Sequence, residues 1–149
     1  MIGTLGPNII FAVNDQYALT FSGMTREVSG RWATHETPGT KPRAEFLGPG
    51  LQTISLPITL SAGLGVRPRR VLETIERMVE EGTAEYLILG FRPVGKNRFR
   101  LTGSSETWDL IYNRGELVRA KLTLTLEEYV WCTISNWNTP FQGTAWPTW

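Results

Sequence analysis

The sequence predicts an α+β domain, mainly an antiparallel β-sandwich or partly closed barrel, with one amphipathic helix at about residues 68–81. Three observations predict it. Ile54, Leu56, Ile58 and Leu60 alternate with Thr53, Ser55, Pro57 and Thr59, the period of a strand with one buried face. A second alternating run, with Val118, Ala120, Leu122, Leu124 and Leu126 on one face, follows the turn-forming Asn113-Arg114-Gly115-Glu116, as in a hairpin. Helical spacing is convincing in one segment, where Val71, Leu72, Ile75, Met78 and Val79 form a single stripe.

In chain order, the short apolar runs Ile9–Val13 and Tyr17–Phe21, separated by Asn14, Asp15 and Gln16, read as a hairpin. Arg26–Glu36 is rich in β-branched and aromatic residues and reads as one strand with a wet face. Pro38 and Gly39 break it, and a further run occupies Arg43–Leu47. Gly48-Pro49-Gly50 predicts a sharp turn, since Gly supplies positive φ and Pro fixes φ near −65°. In the strand that follows, Pro57 cannot donate to a ladder, which predicts a sheet edge or an outward-turned Pro57.

Pro68 suits the first turn of a helix, where its missing N–H is of no consequence. Arg69, Glu73, Arg77 and Glu81 succeed one another at four-residue intervals on the polar face, a spacing for i,i+4 ion pairs. Gly82 supplies the stop. Glu85–Leu89 reads as a strand, Gly90, Pro93, Gly95 and Asn97 as a loop, Arg98–Thr102 as another strand, and Glu106–Tyr112 as the first arm of the long hairpin.

Composition narrows the function. The chain has 149 residues, 41% of them apolar and 19% charged, ordinary for one folded domain. A net charge of +1 argues against a dedicated nucleic-acid binder. One cysteine, Cys132, and one histidine, His35, cannot build the usual zinc or disulfide frameworks. The sequence has neither an apolar run long enough to span a membrane nor a basic-then-apolar leader at its start, so synthesis and folding in a cytoplasm are expected.

Phosphate loops, dinucleotide fingerprints, zinc helices and nucleophile elbows are missing from the sequence. His35 and Glu36 are adjacent, so on a strand they point to opposite faces and would not act together on one substrate. Glu106, Asp109, Glu127 and Glu128 are candidate paired carboxylates for wall hydrolysis, scattered over strands and turns. Lys41, Arg43, Arg67, Arg69 and Arg70 concentrate positive charge. Arg69 and Arg70 fall in the first helical turn, where the macrodipole disfavours them unless an acidic partner compensates, which points to an inter-subunit salt bridge.

After Tyr129 the chain changes character. Trp131, Trp137, Phe141, Trp146 and Trp149, with Pro140 and Pro147, make a nearly uncharged arm without strand or helix period. Exposed in solution, such an arm would be a large apolar liability. It folds back over its own domain or lies on a neighbouring subunit, where Trp makes strong anchors. The expected organisation is a domain over residues 1–130 and an arm over 131–149. The expected partner-binding residues are Trp131, Trp137, Phe141, Trp146, Trp149, Arg69 and Arg70.

From about Phe11 to Val130 the sequence also carries an ordered set of features. They are Arg31-Trp32-Ala33 before His35-Glu36, then Lys41-Pro42-Arg43, Glu45-Phe46 and Gly48-Pro49-Gly50-Leu51. Leu64-Gly65, Pro68, Gly82, Trp108, Gly115 and the closing Leu126-Glu127-Glu128-Tyr129 follow. In order and spacing they resemble the GpU family of tail proteins from contractile-tailed phages and phage-tail-like particles. The resemblance implies a tail-tube-like domain acting as a structural tail assembly protein, without catalysis or cofactor. It implies a homo-oligomeric, hexameric ring that joins the tail tube to the baseplate hub, near the tape-measure protein, with no membrane and no specific nucleic acid as partner. The expected location is the virion or tail-like particle, reached from the host cytoplasm. The alternatives are a head-proximal tail terminator ring and, further off, a tail-associated cell-wall hydrolase.

Overall fold

The computed structural model describes residues 2–13 and 18–131. Gly3–Leu5 (β1), Ile9–Val13 (β2) and Ala18–Leu19 (β3) open the chain, followed by Thr25–Glu27 (β4), Gly30–His35 (β5), Arg43–Pro49 (β6) and Thr53–Ser61 (β7). The helix Pro68–Glu81 (α1) precedes Ala84–Glu85 (β8), Leu87–Leu89 (β9), Arg92–Pro93 (β10), Arg98–Tyr112 (β11) and Glu116–Tyr129 (β12). The principal sheet has the order β4-β7-β12-β11-β8, the smaller one the order β10-β9-β1-β2-β3, and β5 and β6 pair alone. Each of these pairings is antiparallel. The predicted α+β class is therefore the observed one.

The alternation along β7 and β12 builds the core. Their register sets Ile54 opposite Leu126, Leu56 opposite Leu124, Ile58 opposite Leu122 and Leu60 opposite Ala120, and all eight are buried. Leu72, Ile75 and Met78 of α1 join this core from one side, and Leu5, Phe11 and Leu87 of the smaller sheet join it from another. Phe11 meets Phe21 edge-on at 5.4 Å between ring centroids, a favoured aromatic geometry.

The helix has the predicted limits for the predicted reasons. Pro68 occupies its first turn, and Gly82, at φ 66°, donates to the carbonyls of Met78 and Val79. Thr83 N–H adds a bond to Met78 O at 3.2 Å, closing a C-terminal cap. Of the expected i,i+4 ion pairs, Arg69–Glu73 at 3.5 Å forms among the described residues.

Several expectations are corrected. Arg26–Glu36 divides at Val28–Ser29 into β4, which joins the principal sheet, and β5, which leaves it. Gly48-Pro49-Gly50 makes no turn. Gly48 (φ 126°) lies at a register shift, Pro49 pairs with Gly30, and Gly50 N–H donates to Ser29 O at 2.8 Å. A Cβ on Gly50 would stand 3.0 Å from that carbonyl oxygen, so glycine permits the close approach. Glu85–Leu89 also divides: β8 pairs with β11 and β9 with β1, so the chain changes sheets at Tyr86. Conversely, Arg98–Thr102 and Glu106–Tyr112 are one strand, because the ladder absorbs Thr102 as an irregularity between Leu101 and Gly103. β7 is no edge strand, since it lies between β4 and β12. Pro57 is tolerated because its carbonyl accepts Ser22 N–H at 2.9 Å, which directs its missing donor toward the segment where regular β4 pairing has stopped.

Candidate interaction surface

The strands β5 and β6 form a flap held to the body at its foot. Its register runs from Gly30–Pro49 to His35–Arg43. Trp32 and Phe46 face each other across the ladder with ring centroids 4.9 Å apart, yet they remain 62% and 55% exposed. Val28, Leu47 and Leu51 are exposed as well. The sequence predicted one wet face here; both faces are wet. A lone two-stranded hairpin is marginally stable in water, so the flap depends on its foot.

That foot is a polar knot. Glu128, 8% exposed, accepts Gln52 N–H at 3.1 Å and the Asn97 side-chain amide at 2.8 Å. The Gln52 side-chain oxygen takes two bonds from the Arg26 guanidinium, at 2.9 and 2.6 Å. Backbone bonding from Glu128 N–H to Gln52 O at 2.8 Å completes the tie. A buried carboxylate needs such partners, and they fix the end of β12 to the root of the flap.

A second projection is the outer half of the β11–β12 hairpin. Pairing of β7 ends at Ser61 opposite Arg119, whereas β11 and β12 stay paired to Tyr112 and Glu116. Trp108, Leu110, Ile111 and Tyr112 are exposed there. The clean alternation expected of β12 breaks at this end: Leu117 is buried and Val118 half-buried, because irregular pairing near Leu110 shifts the phase.

Arg69 and Arg70 are exposed on the first turn of α1 and line a cleft with Arg67 and Arg114. Trp131 is 69% exposed and stands 6.2 Å from Tyr129, centroid to centroid, near Tyr86, whose ring lies 5.3 Å from the Arg98 guanidinium carbon. Trp137, Phe141, Trp146 and Trp149 lie outside the described residues. The structure thus brings Arg69 and Arg70 together and sets Trp131 in a separate aromatic cluster.

The carboxylates do not converge. Glu127 pairs with Arg100 at 2.7 Å, Asp109 approaches Lys121 at 3.8 Å, and Glu106 accepts the Trp108 indole N–H at 3.3 Å. Glu106 lies opposite Leu122 and Glu128 opposite Phe99, six ladder positions or about 20 Å apart. Glycosidase carboxylates need roughly 5–10 Å. The partner of His35 is Glu45 at 2.9 Å, both on the exposed flap, rather than the adjacent Glu36. Among the described residues no cluster of three or more His, Cys, Asp or Glu could hold a metal ion, and no helix is long and apolar enough to cross a membrane.

The described residues thus form a β-rich body with two exposed apolar projections and dispersed polar groups. The sequence profile of the Phage P2 GpU family matches residues 8–130. The chain therefore belongs to the GpU family and is a phage tail protein, whose place is the tail particle. No curated protein matches it in a sequence comparison. The features that carry the resemblance fall heavily on the flap and its root: Trp32, His35, Glu45, Phe46, Gly50 and Glu128. The sequence reads as ordinary sheet over the flap. The available signal was polarity on both parities, since Arg31, Arg43 and Glu45 share one and Thr34 and Glu36 the other.

Proposed function

We propose that the protein is a structural ring subunit of the phage tail, an adapter between tail tube and baseplate hub that works without catalysis. The observation that carries this reading is the flap, which presents Trp32 and Phe46 to solvent on a hairpin too small to hold itself. Such a hairpin fits a role in which a neighbour supplies the missing cover. The ring is hexameric, and its partners are the tube, tape-measure and hub proteins, with no membrane or specific nucleic acid. Its chain divides into a ring-forming domain over residues 1–130 and a docking arm over 131–149. Trp131, Trp137, Phe141, Trp146 and Trp149 of the arm, with Arg69 and Arg70, bind partners.

The test is electron microscopy of tail particles carrying a label on this subunit, together with the mass of the purified protein in solution. The expected result is a closed ring at the hub end of the tube. A label at the head-proximal end would replace the adapter with a terminator. A chain that stays monomeric with its partners and never co-purifies with tails would end the reading. Removing residues 131–149 should leave a folded domain that no longer assembles; loss of stability instead would mean that the arm packs on its own domain.

A further inference from the structure

The charges of α1 run against its own dipole. A helix favours acidic side chains in its first turn and basic ones in its last; α1 has neither. Arg67, Arg69 and Arg70 crowd its N-terminal end, and Glu76, Glu80 and Glu81 its C-terminal half, where Arg77 is the one basic residue. Of these seven, Arg69 alone has an ion-pair partner among the described residues. Helix stability does not account for this order.

The neighbouring hairpin extends both charged ends. Arg114 joins Arg67, Arg69 and Arg70 around one cleft, in which Glu116 is the single acidic lining residue. Glu106 joins Glu76 and Glu80 around a groove at the other end of the helix. Between them Trp108, Leu110, Ile111 and Tyr112 are exposed, and β11 has no outer strand neighbour past Arg100 among the described residues. Apolar surface with charge at its margins is the anatomy of a protein interface, and here the two charged margins complement each other on one chain.

We propose that this surface receives a second copy of the chain, the arginine cleft of one copy taking the Glu76, Glu80 and Glu106 groove of the next. The inference rests on the ring reading, because one basic-to-acidic contact repeated head to tail gives a ring when its rotation closes on itself and an open filament when it does not.

Two charge-reversed chains test the pairing, Arg69→Glu with Arg70→Glu and Glu76→Arg with Glu80→Arg. Each reversal follows the helix dipole, which offsets the loss of the Arg69–Glu73 pair in the first of them, so each chain should fold with a thermal midpoint close to that of the unaltered protein. By sedimentation velocity each should associate at least about tenfold more weakly, since like charges then face each other. An equal mixture should assemble again, because alternating copies restore every contact. A reversed chain that assembles alone like the unaltered protein, or a mixture that does not recover, overturns the pairing; loss in the arginine-reversed chain alone means that the cleft takes some other acidic partner, and overturns it too.

A disulfide trap separates this inference from the ring reading. In a Cys132→Ser background, Arg70→Cys with Glu80→Cys should oxidise to covalent multimers larger than a dimer. Covalent dimers that go no further would keep the pairing and remove the ring. Rings of the unaltered protein with no 70–80 cross-link would keep the ring and remove the pairing.

Discussion

The strand β12 and the flap strands β5 and β6 are both extended chain with large apolar side chains, and the protein treats them in opposite ways. β12 lies between β7 and β11, and its Leu122, Leu124 and Leu126 are at most 2% exposed. Among the described residues the flap pairs only with itself, and its Trp32 and Phe46 are more than half exposed. Burial of a leucine is worth about 1.5–3 kcal/mol, so β12 supports the fold. The flap contributes little to it and leaves its apolar pair exposed among the described residues. What separates the two is the supply of neighbours rather than residue type.

The most severe break in this contrast is Leu124→Ala, at a site of 0% exposure. It should cost about 2–5 kcal/mol in urea unfolding; a loss below about 1 kcal/mol would mean that β12 is not the core strand described. Next comes Glu128→Ala, which strips Gln52 N–H and Asn97 of their acceptor. The expected cost is about 1–3 kcal/mol, with faster hydrogen exchange at the Gln52 amide. Glu128→Gln keeps an acceptor oxygen and should cost less, and equal losses would show that the knot does not depend on that acceptor.

Trp32→Ala with Phe46→Ala sharpens the contrast from the other side. The pair is exposed, so the stability change should stay within about 1.5 kcal/mol, the scale of an aromatic pair, while incorporation into tail particles is lost. Normal incorporation would show that the flap is not a contact element. The smallest effect belongs to Glu45→Gln. It replaces the carboxylate that meets His35 at 2.9 Å, with side chains 61% and 65% exposed, and the unfolding free energy should change by less than about 1 kcal/mol.

Local signals carried much of the fold. The helix was legible at both ends because Pro68 and Gly82 act through their own backbones, and the β7 and β12 faces were legible because period two is written in adjacent residues. The misread segments share a cause. At Tyr86 and at Val28–Ser29 the chain moves from one sheet to another, with no turn residue at Tyr86 and with Ser29-Gly30 as the one local mark at the other. Gly48-Pro49-Gly50 carries every mark of a turn, yet the flap foot needs it for a register shift and a close approach to Ser29. In the candidate surface, the misfit of Arg69 and Arg70 with the helix dipole was readable from sequence. Their company with Arg114, and the opposing groove of Glu76, Glu80 and Glu106, depends on residues distant along the chain.

The sequence by itself determined the α+β class, the limits of α1, the inward faces of β7 and most of β12, and membership of the GpU family. Only the tertiary structure decided that β5 and β6 stand away from the body, that Glu128 ties their root to β12, and that the hairpin carries its aromatics beyond β7. The physical reason is that periodicity defines the two faces of a strand from its own residues. Burial of either face depends on a second element arriving from elsewhere in the chain, and among the described residues no such element meets the flap.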